Sequence, residues 1–275
     1  MRCTFRNFSN ILLLGLAACA RAAEPATPPA DPPVPPLLLE ALNKLSQDFD
    51  RWAYTETTVN TDTKGKPKGE TVVRFDPSKP YAEQYTPLKI NGEPPSEKQL
   101  RDYRKRGEKR GERLEREEAE GKAPGSTVGR FRLGSDNAAI DLAHAVVESE
   151  TETAVTYNVP LRNDPKSTLP VEKFELLARL SKERRALENV ALRVRDSFRM
   201  KLVVKVKGGS ANIDFSVVDP KYAPVMSSVS GAGTASVMFI PVGGGFDLKR
   251  TDFQRVKPFS EKFGVKIGPM KALDF

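Results

Sequence analysis

The chain has 275 residues, 39% of them hydrophobic and 29% charged, with 44 basic side chains against 36 acidic ones and a single histidine. That length is enough for one large domain with a core of its own. The two cysteines, Cys3 and Cys19, both lie near the start, so everything beyond residue 19 is without a disulfide, a thiolate nucleophile or a Cys-ligated zinc site.

Residues 1–10 are polar and basic, carrying Arg2 and Arg6, and residues 11–18 (ILLLGLAA) are apolar and uncharged. A membrane-crossing helix needs about 20 apolar residues, so this block is too short to span. A basic start, a short apolar centre and a small-residue exit predict a secretory signal peptide over residues 1–22. Leu16-Ala17-Ala18-Cys19 resembles the lipobox of bacterial lipoproteins, which implies diacylation of Cys19, an anchor that two acyl chains make firm. Ala20, where inner-membrane lipoproteins tend to carry Asp, then implies the outer membrane. Ala18-Cys19-Ala20 and Ala20-Arg21-Ala22 also fit ordinary cleavage, which would remove Cys19 with the signal. Either outcome places the domain in the periplasm.

Residues 23–36 form a tether. Seven prolines between Pro25 and Pro36 favour extended polyproline II, about 3.1 Å per residue. A single β-rich domain is expected over residues 37–275. Leu38, Ala41, Leu42, Leu45 and Phe49 recur three and four apart, the stripe of an amphipathic helix that packs across a sheet. Residues 52–59 (WAYTETTV) read as a strand, 64–69 as a turn, 70–75 as the returning strand and 82–90 as another.

Residues 95–122 differ in kind. From Glu97 to Lys122 there are ten basic and eight acidic side chains, with Leu100, Tyr103 and Leu114 the only large apolar ones. Acid–base pairs three and four apart support a solvated helix, while Gly107 and Gly111 each weaken it by about 1 kcal/mol relative to Ala. The expectation is a solvent-washed, partly frayed helix, with a partner-docking arm as the alternative.

Residues 140–142 suggest a helical turn, followed by strands at 145–150 and 154–160. Alternation then repeats through Phe174, Leu176, Ala178 and Leu180, through Val190, Leu192 and Val194, through Leu202, Val204 and Val206, and through Ile213, Phe215 and Val217. Residues 184–199 could be scored as helix, but their two-residue period favours strands. Gly208-Gly209, Asp219-Pro220, Gly231-Ala232-Gly233 and Gly243-Gly244-Gly245 read as the turns between later strands. The fold class expected is mainly β (α+β): a curved antiparallel sheet or half-open β-barrel with a few covering helices.

Chemical motifs are scarce. His144 reads as a packed or surface residue, because no G-x-S-x-G elbow presents a serine to it. Ser135-Asp136-Asn137 matches one piece of the penicillin-binding enzymes without the serine–lysine and K-T-G pieces. Neither phosphate-binding glycine motif occurs, and Glu117 and Glu118 lie in the solvated charged segment. No enzyme, cofactor or metal is expected. The +8 net charge is interleaved along the chain rather than patched, which argues against nucleic acid and favours weak attraction to anionic lipid headgroups.

The stretch running from Trp52 (WAYTETTVNTDTKGKPKGETVVRFDPSKPYAEQYTPLKINGEPPSEKQLRDYRK) and the closing stretch FQRVKPFSEKFGVKIGPMKALDF resemble a family of exported proteobacterial proteins that carries no known activity. At the level of architecture, one helix followed by many strands after an export signal resembles the half-barrel lipoprotein carriers and receptors of the envelope. That resemblance implies shelter for acyl chains between sheet and helices. The expectation is therefore a binding or carrier module for a lipid, lipoprotein or other amphipathic guest, with Trp52, Tyr54, Phe174, Leu192, Phe215 and Phe239 as candidate cavity lining. The alternative is a structural or interaction protein with a filled core that docks partners through residues 97–122.

Overall fold

A computed structural model describes residues 32–48, 51–120, 140–163, 170–200, 204–237 and 240–263. The export segment with Cys19, the Ser135-Asp136-Asn137 tripeptide, Leu202 and Phe239 lie outside them. The described residues form two α-helices and eleven strands: α1 (Pro36–Asp48), β1 (Trp52–Thr61), β2 (Pro67–Phe75), β3 (Tyr85–Ile90), α2 (Glu97–Ala119), β4 (Val146–Glu150), β5 (Ala154–Asn158), β6 (Phe174–Ser181), β7 (Ala186–Val194), β8 (Phe198–Met200), β9 (Val204–Ser216), β10 (Val225–Val237) and β11 (Ile240–Arg255). The strands form one unclosed sheet in the order β3-β2-β1-β11-β10-β9-β7-β6-β5-β4, with β8 also paired to β9. Every strand pair is antiparallel. The expected fold class is the observed one.

One row of side chains crosses all ten strands of that path: Val147, Tyr157, Ala178, Val190, Ile213, Val229, Leu248, Thr58, Thr71 and Ile90 are successive cross-strand partners. Directly opposed residues point to the same face, so this row marks the face that α1 covers. Pro36 starts α1, where its fixed φ suits the first turn. Leu38, Ala41 and Leu42 then pack against Val155, Tyr157, Leu176, Leu180, Val190 and Ile213. Asp48 finishes the helix by accepting from Arg255 of β11 at 2.7 Å and from the Ala223 amide at 3.3 Å.

The glycine clusters are not turns. Gly208-Gly209, Gly231–Gly233 and Gly243–Gly245 lie inside β9, β10 and β11, where Gly209, Gly233 and Gly244 stand in one cross-strand row. Backbone conformation explains two of them: Gly243 and Gly244 have φ of 156° and 152°, and a Cβ there would come within 2.3 Å of the Gly233 carbonyl and 2.4 Å of the Thr61 carbonyl. A β-bulge near Gly208 lets the long strands continue past the cluster. β3 begins at Tyr85 rather than residue 82, because residues 81–83 make a turn.

The charged segment folds against the rest of the chain. Ser96 and Gln99 form a capping box, with the Ser96 amide donating to Gln99 Oε1 at 2.7 Å. The helix runs unbroken through Gly107 and Gly111, and those glycines are its contact face. A Cβ on Gly107 would sit 2.3 Å from the Tyr81 carbonyl oxygen, and one on Gly111 would sit 2.5 Å from the Tyr81 ring. Between them Arg110 stacks over Tyr85, 4.4 Å from the ring centre, and donates to Gln84 Oε1 at 2.9 Å and to the Tyr81 carbonyl. The helix is thus washed by solvent on one side and docked on the other.

Gly107→Ala decides between a solvated and a docked helix. On a solvated helix it would add about 1 kcal/mol of stability; against the Tyr81 backbone the overpacking cost wins, and a net loss of about 1–2 kcal/mol is expected in urea denaturation.

Candidate binding surface

Six of the aromatic side chains build a continuous ribbon on the helix-covered face, running Tyr85, Phe75, Tyr54, Phe253, Trp52, Tyr222, with successive ring centres 4.6–6.4 Å apart. Arginines stack on it. Arg250 lies 4.2 Å from the Tyr54 ring centre and pairs with Glu56 at 3.0 Å, and Arg255 lies 3.5 Å from that of Tyr222. The Arg250 and Glu56 side chains retain only 8% and 19% exposure. An extra residue in β11 at Asp252, φ 52°, sets the register that brings these groups together, and Arg74 holds its carbonyl at 2.9 Å.

Trp52 and Tyr54 are consequently packed core. The cavity beside them measures about 20 Å³, room for one water and no ligand. Burial raises the Tyr54 phenol well above its ordinary pKa of 10.0 and raises that of Tyr85 as well. Phe215 also packs against the main core, and so does the half-buried Leu192. Phe174 meets Phe198 edge to face at 5.5 Å, where the sheet extends beyond the core around α1. The sequence grouping of these residues therefore separates into an aromatic ribbon, a core and a rim.

The apolar face continues past that rim. Phe198 opposes Val206, Met200 opposes Val204, Val204 opposes Val237, Val206 opposes Ala235, and Val237 and Ala235 oppose Ile240 and Val242. All of these share the α1 side of the sheet, yet no helix among the described residues packs on this end. Ile240 is 66% exposed and Val242 40%. Further along the same face Phe246, 37% exposed, closes over Gly231, where a Cβ would come within 2.8 Å of the ring. The reverse face of the same strands carries exposed Arg199 and Lys205, and exposed Lys207 stands at the bulge beside them.

This end was only partly foreseen. Val204 and Val206 stood out by alternation, whereas Met200, Ile240 and Val242 did not. A signal was present: Val237-Met238-Phe239-Ile240-Pro241-Val242 is apolar throughout.

Two other concavities are lined by apolar and charged side chains alike, with Pro87, Leu100 and Tyr103 in the first and Val217, Pro220 and Ala223 in the second. A groove of about 290 Å³ between α2 and β2–β3 is lined by Arg74, Lys79 and Arg104 together with Asp76 and Glu83. A wider one of about 640 Å³ beside the β9–β10 connection is lined by Lys44, Asp48, Glu183, Arg184, Lys221 and Tyr222. His144 lies in an exposed turn with Nδ1 2.9 Å from Asp141 Oδ2, and Asp141 also takes Arg162. The described residues hold no cluster of metal-capable side chains and no helix long and apolar enough to cross a membrane. No family model, curated protein or solved structure matches the chain.

Two outcomes are expected of the ribbon. Arg250→Met strands Glu56 in a half-buried site and should cost about 3 kcal/mol in urea unfolding, most of it recovered by adding Glu56→Leu. Because the folded-state pKa values of Tyr54 and Tyr85 lie above the unfolded value of 10.0, the stability tied to them is whole below that pH and falls as pH rises past it. Their tyrosinate absorbance should therefore appear only together with unfolding in an alkaline titration, and Tyr54→Phe should flatten the fall.

Proposed function

We propose that this chain is an exported binding module which takes an acyl chain, or the apolar part of another amphipathic guest, on the uncovered end of its sheet. One observation carries the reading: the apolar rows continue through Met200, Val204, Val206, Val237, Ile240 and Val242 after α1 and its core have ended. A side chain of this kind left half exposed forgoes roughly 1 kcal/mol of burial. Extended rows spaced by the strand repeat suit a long, narrow guest better than a compact one.

The surface is open rather than enclosed, which suits a guest that is received and passed on. In this reading the N-terminal segment delivers the domain to the periplasm, lipidated Cys19 and the Pro-rich tether hold it near the outer membrane, and binding needs neither a cofactor nor catalysis. The charged outer side of α2 keeps the domain soluble.

Native mass spectrometry of the full chain recovered from membrane extracts should display a bound lipid, and a hydrophobic dye should compete for it. Ile240→Asp combined with Val242→Asp is expected to abolish both signals without lowering the melting temperature, since both side chains are exposed in the fold. A clean apo mass together with no dye uptake would sink the proposal.

A further inference from the structure

The two faces of the uncovered sheet end differ in a way that a guest-binding surface alone does not require. On the reverse face Arg199 stands directly opposite Lys205 across β8 and β9, and the row continues with Ser236 and Pro241. Lys207 follows at the bulge, also exposed. Like charges directly opposed across strands destabilise a sheet, and among the described residues no acid forms an ion pair with any of the three. Some cations elsewhere are paired, as Arg179, Lys182, Arg184 and Arg195 each are with a glutamate. Others such as Lys89, Arg193 and Lys249 form no ion pair with a described residue either, but only here among the described residues do two unpaired cations stand directly opposite one another in a row that ends in exposed apolar strands. The end of the sheet thus combines exposed Ile240 and Val242 and half-buried Met200 on one side with unneutralised cations on the other.

We propose that this end docks on an anionic phospholipid bilayer, its apolar face seated in the outer acyl region and Arg199, Lys205 and Lys207 at the level of the headgroup phosphates. The arrangement is the sheet counterpart of an interfacial amphipathic helix, which lies in the membrane plane with an apolar face below and Lys and Arg on its polar face. Long basic side chains reach back to the phosphates along their own aliphatic stems. Charge selects the surface, because each cation near an anionic bilayer contributes roughly 1 kcal/mol and neutral lipid offers no such gain. The inference rests on the preceding reading of this end as the binding surface and names the bilayer as the source of the guest.

The test uses the full chain carrying Cys19→Ser, so that no attached lipid contributes, in co-sedimentation with phosphatidylglycerol–phosphatidylcholine vesicles and with pure phosphatidylcholine vesicles. Binding to the anionic vesicles alone is expected, weakening as salt rises. Lys205→Glu with Lys207→Glu should reduce it by at least about tenfold, and Ile240→Asp with Val242→Asp should reduce it similarly, with both variants melting as the parent does. Equal binding to both vesicle types, no binding to either, or a charge-reversed variant that binds like the parent overturns the bilayer proposal. If dispersed lipid is still captured through Ile240 and Val242 while vesicles are ignored, the bilayer proposal alone falls. If the Ile240→Asp, Val242→Asp variant changes neither, both readings fall.

Discussion

The Glu56–Arg250 ion pair lies on the seam that joins the start of the domain to its end, and the sheet depends on that seam. β1 and β11 are neighbours in space although some two hundred positions separate Glu56 from Arg250. A slip of one residue between them would turn every side chain to the opposite face, moving Tyr54 and Phe253 into water and splitting the aromatic ribbon. The extra residue at Asp252, the stacking of Arg250 on Tyr54 and the anchoring of Asp48 on Arg255 all favour one alignment. A half-buried ion pair is a poor source of net stability, but it is an effective selector among alignments, since any other register leaves both charges stranded.

Coverage of the sheet is uneven, and that unevenness links fold to function. α1 is thirteen residues long and α2 is held at the β3 side by Tyr81, Gln84 and Tyr85. Between and beyond them the same face is shielded by the aromatic ribbon or left half exposed. Burial along the cross-strand row follows this pattern, complete at Ala178, Val190 and Ile213 and partial from Val229 to Ile90. The strands that leave the helices furthest behind are also the longest, β9, β10 and β11, and Ile240, Val242 and Phe246 stand exposed on them, as Val146 and Val147 do on the edge strand β4.

Much of this was legible in the sequence because side-chain period is a local property. Leu38, Ala41, Leu42 and Leu45 announced α1 without reference to anything else, and the alternation from Phe174 to Leu180 and from Val190 to Val194 identified β6 and β7. What stayed hidden depended on distant partners. Gly107 and Gly111 counted as helix weaknesses until Tyr81 filled the space beside them. The glycine clusters resembled turns, since their stacking across three strands comes from pairing rather than from neighbours in the chain. Trp52 and Tyr54 looked like cavity lining because composition does not reveal that Phe253, Tyr222 and Arg250 pack around them. Met200, Ile240 and Val242 drew no notice, since they join a single surface only through the pairing of β8 through β11.

The position of the seam has a consequence for biosynthesis. Among the described residues β11 is the last strand made, and yet it occupies the interior of the sheet, between β1 and β10. While the chain is emerging, the β1–β3 meander and the β4–β10 block have finished backbones but no shared strand, and each presents a bare edge where β11 will lie. Loss of the final strand would therefore not trim a border; it would cut the sheet in two and leave a pair of open edges prone to pairing with other chains. A premature stop before codon 240 should consequently produce an aggregating species rather than a smaller version of the same domain.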